Sequence, residues 1–149
     1  MSGDSARPSR RALLRAALVP VAVALAPARV FAQDPRSTAV AAAARDWLAL
    51  VDRGDTAGAY KAAGAKFRST MASEAWGNAL NSQRAPRGKL LQRSLAQTSF
   101  KAGLPGAPEG EYAVLLFRTS FEKAPDAGES LTLERDKDGV WRVVGYFIR

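Results

Sequence analysis

EYAVLLFRTSFEKAPDAGESLTLERDKDGVWRVVGYFIR, residues 111–149, is the stretch whose reading decides the fold. EYAVLLFRTSF and VWRVVGYFIR are rich in β-branched and aromatic residues, as strands are, and ESLTLER lies between them. In ESLTLER, Leu131 and Leu133 alternate with Ser130, Thr132 and Glu134, so one face of that strand is apolar and the other wet. Asp136–Gly139 forms the turn that follows, with Gly139 where a positive φ is needed. The last segment has no clean alternation. Val140, Val144, Tyr146 and Ile148 fall on one side and Trp141, Val143, Gly145 and Phe147 on the other, which predicts a central strand covered on both faces. Upstream, KLLQRSLAQTSF (89–100) reads as a further strand, separated by the Pro/Gly-rich loop KAGLPGAPEG. Four short strands with turns between them predict an antiparallel meander.

The residues before this sheet read as helix. In STAVAAAARDWLALVDRG, Val40, Ala43, Ala44, Trp47, Leu48 and Val51 recur at helical spacing; Ser37 or Thr38 is the expected cap and Gly54 the stop. DTAGAYKAAGAKF predicts a shorter helix capped by Asp55 or Thr56 and weakened by Gly58 and Gly64. SEAWGNALNSQR predicts a third, with Ser73 as cap and Trp76, Ala79, Leu80 and Gln83 on one face; APRG closes the helical half. The fold class is therefore α+β, with N-terminal helices packed on one face of a four-stranded antiparallel curved meander sheet. By analogy this suits the cone-like architecture of nuclear-transport-factor-2-like and cystatin-like domains.

Residues 1–32 read as a cleavable signal peptide and 33–149 as a single domain. SRRALLR (9–15) is followed by the apolar AALVPVAVALAPA and then RVFAQD, the order of basic start, short apolar middle and small residue at the cut. Cleavage is expected between Ala32 and Gln33, with the bond after Ala28 as the alternative. The apolar run is shorter than the ~20 residues that span a bilayer, so no stable membrane span is expected after cleavage. Arg10 and Arg11, with Ser9 before and Leu13-Leu14 after, resemble the twin-arginine export motif, and an ordinary secretory signal is the other reading. The expected location is periplasmic or secreted.

Charge and composition narrow the function. The chain carries +8, but residues 1–32 hold five of its 22 basic residues and one of its 14 acidic ones, leaving 17 and 13, a net of +4, scattered along the mature part. Scattered charge argues against nucleic acid as a partner. Cys and His are both absent, which removes disulfides, the commonest general base and the commonest metal ligand. There is no Gly-rich phosphate loop and no metal-ligand spacing; DKDG has too few acidic residues for calcium. No cofactor and no metal site are expected.

WLALVDRGD, FRSTMASEAWGNALNSQRAPRGKLLQRSL, LPGAPEGEYAVLLFRTSFE and DGVWRVVGYFIR together resemble an exported bacterial family catalogued as domain of unknown function 4019. The resemblance covers nearly all of 37–149, is most specific at Leu104-Pro105-Gly106 with Glu111-Tyr112 and at Trp141-Arg142 to Gly145-Tyr146, and departs at RAPRG, where an aliphatic residue is expected before the Gly. It implies the fold and export, and carries no catalytic residue.

The leading reading is an exported, non-catalytic cell-envelope domain that binds a partner protein or small ligand. The alternative is a small proton-transfer enzyme, of isomerase or dehydratase type, using a carboxylate and a tyrosine in a cone-shaped pocket. For that chemistry Glu111 and Glu122, which flank the long strand, are the candidate carboxylates, beside Tyr60, Tyr112 and Tyr146. Arg93, Arg118 and Arg142 each interrupt a strand, where an arginine either covers apolar surface with its stem or binds an anion. Trp76, Arg93 and Tyr112 are the candidate ligand-facing cluster. Tyr112, Val114 and Leu116 share one strand face and predict an apolar strip that a homodimer would cover.

Overall fold

A computed structural model describes residues 34–149; the expected signal peptide, its Arg10-Arg11 motif and the Ala32–Gln33 cut lie outside the described residues. Four helices, α1 (Pro35–Asp52), α2 (Thr56–Ala62), α3 (Ala65–Thr70) and α4 (Ser73–Arg84), precede four strands, β1 (Leu90–Lys101), β2 (Tyr112–Phe121), β3 (Ala124–Arg135) and β4 (Trp141–Ile148). The strands pair antiparallel in the order β1-β2-β3-β4, a plain meander. The α+β layout expected from the sequence is the one found.

The helix starts show where local chemistry wins. Asp34, rather than Ser37 or Thr38, caps α1: its Oδ1 accepts from the Arg36 N–H at 2.9 Å, with Pro35 in the first turn. Asp55 caps α2 as expected, accepting from Gly58 N at 2.8 Å. The expected second helix is broken in two at Ala63–Gly64. Gly64 N donates to Val143 O on β4 at 2.8 Å, and a Cβ at Gly64 would lie 2.8 Å from Val144 Cγ1. The chain leaves the helix there to meet the sheet edge, and only glycine allows so close an approach. Ser73 stands one residue inside α4, whose buried stripe is Trp76, Gly77 and Leu80; Ala79 and Gln83 face solvent, and the half-buried Arg84 continues the stripe instead.

The core lies between α1, α4 and the inner sheet face. Val40, Ala44, Trp47, Leu48 and Val51 of α1 meet Leu115 and Phe117 of β2, Leu131 and Leu133 of β3 and Val143 of β4. The sheet curls so that the rings of Phe100 on β1 and Trp141 on β4 stand 6.0 Å apart. Three flat strand spacings would separate their backbones by about 14 Å.

Two expectations about the sheet are corrected. β4 is an edge strand, bonded only to β3, and Phe147 is 64% exposed. Its two apolar faces are one inner face with a slip. Leu131 pairs with Tyr146 and Leu133 with Val143, so Val144 is an extra residue and the inward phase changes there. Gly139 does take a positive φ, 80°, in the turn before it. The outer sheet face does not carry a continuous apolar strip. Tyr112 is buried, its hydroxyl donating to Pro108 O at 2.7 Å. Val114 is flanked there by Ser99 and Thr132, and Leu116 by Gln97 and Ser130. No helix among the described residues is long and apolar enough to cross a membrane.

Candidate functional site

A buried ion-pair cluster lies at the end of the helix–sheet interface where α1 and α4 finish. Glu129 on β3 shares the inner phase of Leu131 and Leu133, and its side chain is 0% exposed. Arg93 on β1, opposite Thr119 of β2, points to the same side. Its guanidinium makes two forks. Nε and Nη2 reach Glu129 at 2.5 and 3.0 Å, and Nη1 and Nη2 reach Asp52, the last residue of α1, at 2.6 and 2.9 Å. Arg84, the last residue of α4, donates to Asp52 at 2.8 Å and lies 3.3 Å from Glu129 and 3.4 Å from the Tyr146 hydroxyl. Its guanidinium sits 4.7 Å over the Phe121 ring. Tyr146 OH and Thr119 Oγ1 donate to the two oxygens of Glu129 at 2.5 and 2.6 Å.

The balance is exact in sign: two arginines face two carboxylates. Glu129 accepts from Arg93, Arg84, Thr119 and Tyr146, and no buried side-chain nitrogen or oxygen among the described residues is left without a partner. A buried carboxylate is tolerated only on such terms. Burial works to raise the pKa of Asp52, but hydrogen bonds and charge from Arg93 and Arg84 outweigh it and hold the carboxyl below its ordinary 3.8. Burial beside Glu129 raises the Tyr146 hydroxyl. The six groups come from both long helices and all four strands, so the cluster ties every layer of the domain together.

A second buried carboxylate, Glu134, takes an ion pair from Lys66 of α3 and lies 3.5 Å from the Tyr112 hydroxyl. Among the described residues there is no group of three or more acidic side chains placed to hold a metal ion.

The sequence-predicted residues are distributed as follows. Arg93 is in the cluster. Trp76 is connected to it through rings: 5.9 Å to Trp47, which stands 5.3 Å from Tyr146. Tyr112 is at the far end of β2, seven positions from Thr119 and so about 23 Å along the strand. The three do not converge on one point. Glu111 is exposed beside Arg135, and Glu122 accepts from Lys89 N at 2.9 Å in the β1 approach. Arg118 lies exposed on the outer face, and Arg142 binds Asp136 and Asp138 in the preceding turn. Asp52, Arg84, Thr119 and Glu129 are the members that the sequence reading missed, while Tyr146 is one of its three candidate tyrosines.

A family model described as protein of unknown function (DUF4019) matches residues 43–146, from the middle of α1 to the Tyr146 that binds Glu129. The chain belongs to that family. No curated protein matches the chain. In this family member the matched stretch contains the whole ionised cluster and both Glu–Tyr pairs.

The acid limb of stability follows from the cluster. Asp52 has a folded-state pKa below its unfolded one, so its contribution is complete above the unfolded value and is lost as pH falls through the folded value. Asp138, held by the Arg142 guanidinium at about 2 against an ordinary 3.8, acts in the same window. The melting temperature is therefore expected to be insensitive to these two groups from neutrality to about pH 5 and to fall below about pH 4. Circular dichroism melts across that range check it; a melting temperature unchanged down to about pH 2 contradicts it.

Proposed function

We propose that the chain is an exported, non-catalytic α+β domain that binds a partner protein or a small ligand in the cell envelope. One observation carries the non-catalytic part: the carboxylate–tyrosine pair nearest the centre, Glu129–Tyr146, is saturated. A general base needs a lone pair within reach of a substrate proton. Both oxygens of Glu129 already accept from Arg93, with further donors in Tyr146, Thr119 and Arg84, and the carboxylate is fully buried. Glu134 is buried, and its Oε1 takes the ion pair from Lys66 and lies 3.5 Å from the Tyr112 hydroxyl. The space between helices and sheet is filled by Trp47, Trp76, Leu115 and Leu131, which supports recognition at the surface over chemistry in a pocket.

Export rests on the layout of residues 1–32, with Arg10 and Arg11 before a short apolar run and Ala32 at the cut. Mass spectrometry of the protein from its native host is expected to find a processed N-terminus at or near Gln33 in the envelope or medium. Intact Met1 in the cytoplasmic fraction alone contradicts the proposal. Replacing Arg10 and Arg11 by lysine is expected to stop export by the twin-arginine route, and unchanged export assigns the general secretory route instead.

A further inference from the structure

The two edges of the sheet are treated differently. The β4 edge is covered where Gly64 N–H bonds Val143 O. β1 is bonded to β2 alone, so its other edge pairs with no strand among the described residues. It runs for 12 residues, and Ser94–Ser99 contains neither a charge nor a proline; of the usual guards of an edge this segment has the irregularity at Ala96, between Leu95 and Gln97. Alongside it lies a groove floored by β1 and walled by α1. Ser37, Thr38, Ala41 and Arg45 face Leu95 and Thr98 in one half. Arg45, Leu48 and Asp52 face Arg93, Ser94 and Leu95 in the other, so the halves join at Arg45 and Leu95. From Arg93 to Thr98 the groove is about 17 Å long, room for an extended segment of about six residues.

Its charge is one-sided. Asp52 is neutralised by Arg93 and Arg84, while Arg45 is exposed and makes no ion pair among the described residues. Lys89 and Lys101, both exposed, stand at the two ends of β1. In the two-fold antiparallel register centred on Leu95, which pairs the most residues of this edge, a second copy would bring Lys89 of one chain towards Lys101 of the other, an unfavourable like-charge contact.

We infer that the β1 edge and the α1–β1 groove are a docking site for an extended acidic peptide segment of another protein, which adds as a fifth strand and sets a carboxylate on Arg45. The inference rests on the binding reading above and names its site. Backbone pairing would supply affinity, and Arg45 with the groove would select side chains at alternate positions.

The test is selection of a displayed random peptide library against the full chain, followed by amide resonance mapping with the synthetic winning peptide. The expected winners carry Asp or Glu within an alternating pattern and perturb resonances of residues 93–99. Arg45→Glu is expected to weaken them at least about tenfold, and exchanging their acids for lysine to abolish binding. Neutral or basic winners, or winners that map to another face, overturn the groove and leave the broader binding reading standing. A doubled mass on concentration with the same amides perturbed assigns the edge to a second copy and also overturns the inference. No winner against a folded chain overturns it too; the broader reading fails with it only if crosslinking of the processed protein in its host finds no partner.

Discussion

Glu129→Ala is expected to destabilise the domain by about 3–5 kcal/mol, because it leaves Arg84 and Arg93 at the helix–sheet interface without the carboxylate that both donate to. That is a large part of the ~5–15 kcal/mol that holds a domain of this size together. Thr119 and Tyr146 would lose their acceptor as well. Glu129→Gln keeps the volume and one acceptor oxygen, so its loss is expected to be smaller. Urea unfolding followed by tryptophan fluorescence reads both values. A Glu129→Ala loss under about 1 kcal/mol would mean that water or a shifted Asp52 replaces the missing charge, contrary to the geometry.

Trp47→Ala is expected to have an effect of similar size, about 3–5 kcal/mol, for a different reason. Trp47 is buried at the meeting of α1, α2, α4 and β4. Its rings lie 5.9 Å from Trp76 and 5.3 Å from Tyr146, and its indole N–H donates to Ala59 O at 2.9 Å. Removing it opens a cavity and unseats Tyr146, so the cluster around Glu129 is expected to loosen too. Trp47→Phe keeps the ring packing and loses the indole hydrogen bond, about 0.5–1.5 kcal/mol by itself. Thermal melts of the two variants separate the contributions; equal losses for Phe and Ala would show that the hydrogen bond, and not the packing, dominates.

The fold class was legible because its signals are local. The helical spacing of Val40, Ala44, Trp47, Leu48 and Val51 and the turn at Asp136–Gly139 needed no tertiary information. The edge position of β4 was not legible, because a bulge at Val144 puts Val143 and Tyr146 on one face and imitates a strand apolar on both sides. The break at Gly64 was hidden for a related reason: it is set by a contact with Val143 that is 79 positions away in the chain.

The cluster was half legible. Arg93 stood out as a charge in a strand. The same phase argument extends to Glu129, two and four positions before Leu131 and Leu133, and to Arg84, four and eight positions after Leu80 and Trp76. Both are charges in phase with buried apolar residues, which is the signal that finds them. That Asp52 would join them depends on where α1 ends over the sheet, and no local pattern carries that. Tyr112 and Trp76 were drawn into one candidate site by residue type alone, and the sheet holds Tyr112 at its opposite end.

The central claim is that the ionised cluster is a clamp between helices and sheet. A double-mutant cycle on Arg93 and Glu129 tests it most directly. Arg93→Ala, Glu129→Ala and the double variant are unfolded in urea under the same conditions, and the coupling free energy is read from the four stabilities. A favourable coupling of at least about 2 kcal/mol is expected, with the double variant losing far less than the sum of the single ones. A coupling below about 0.5 kcal/mol in folded variants would contradict it.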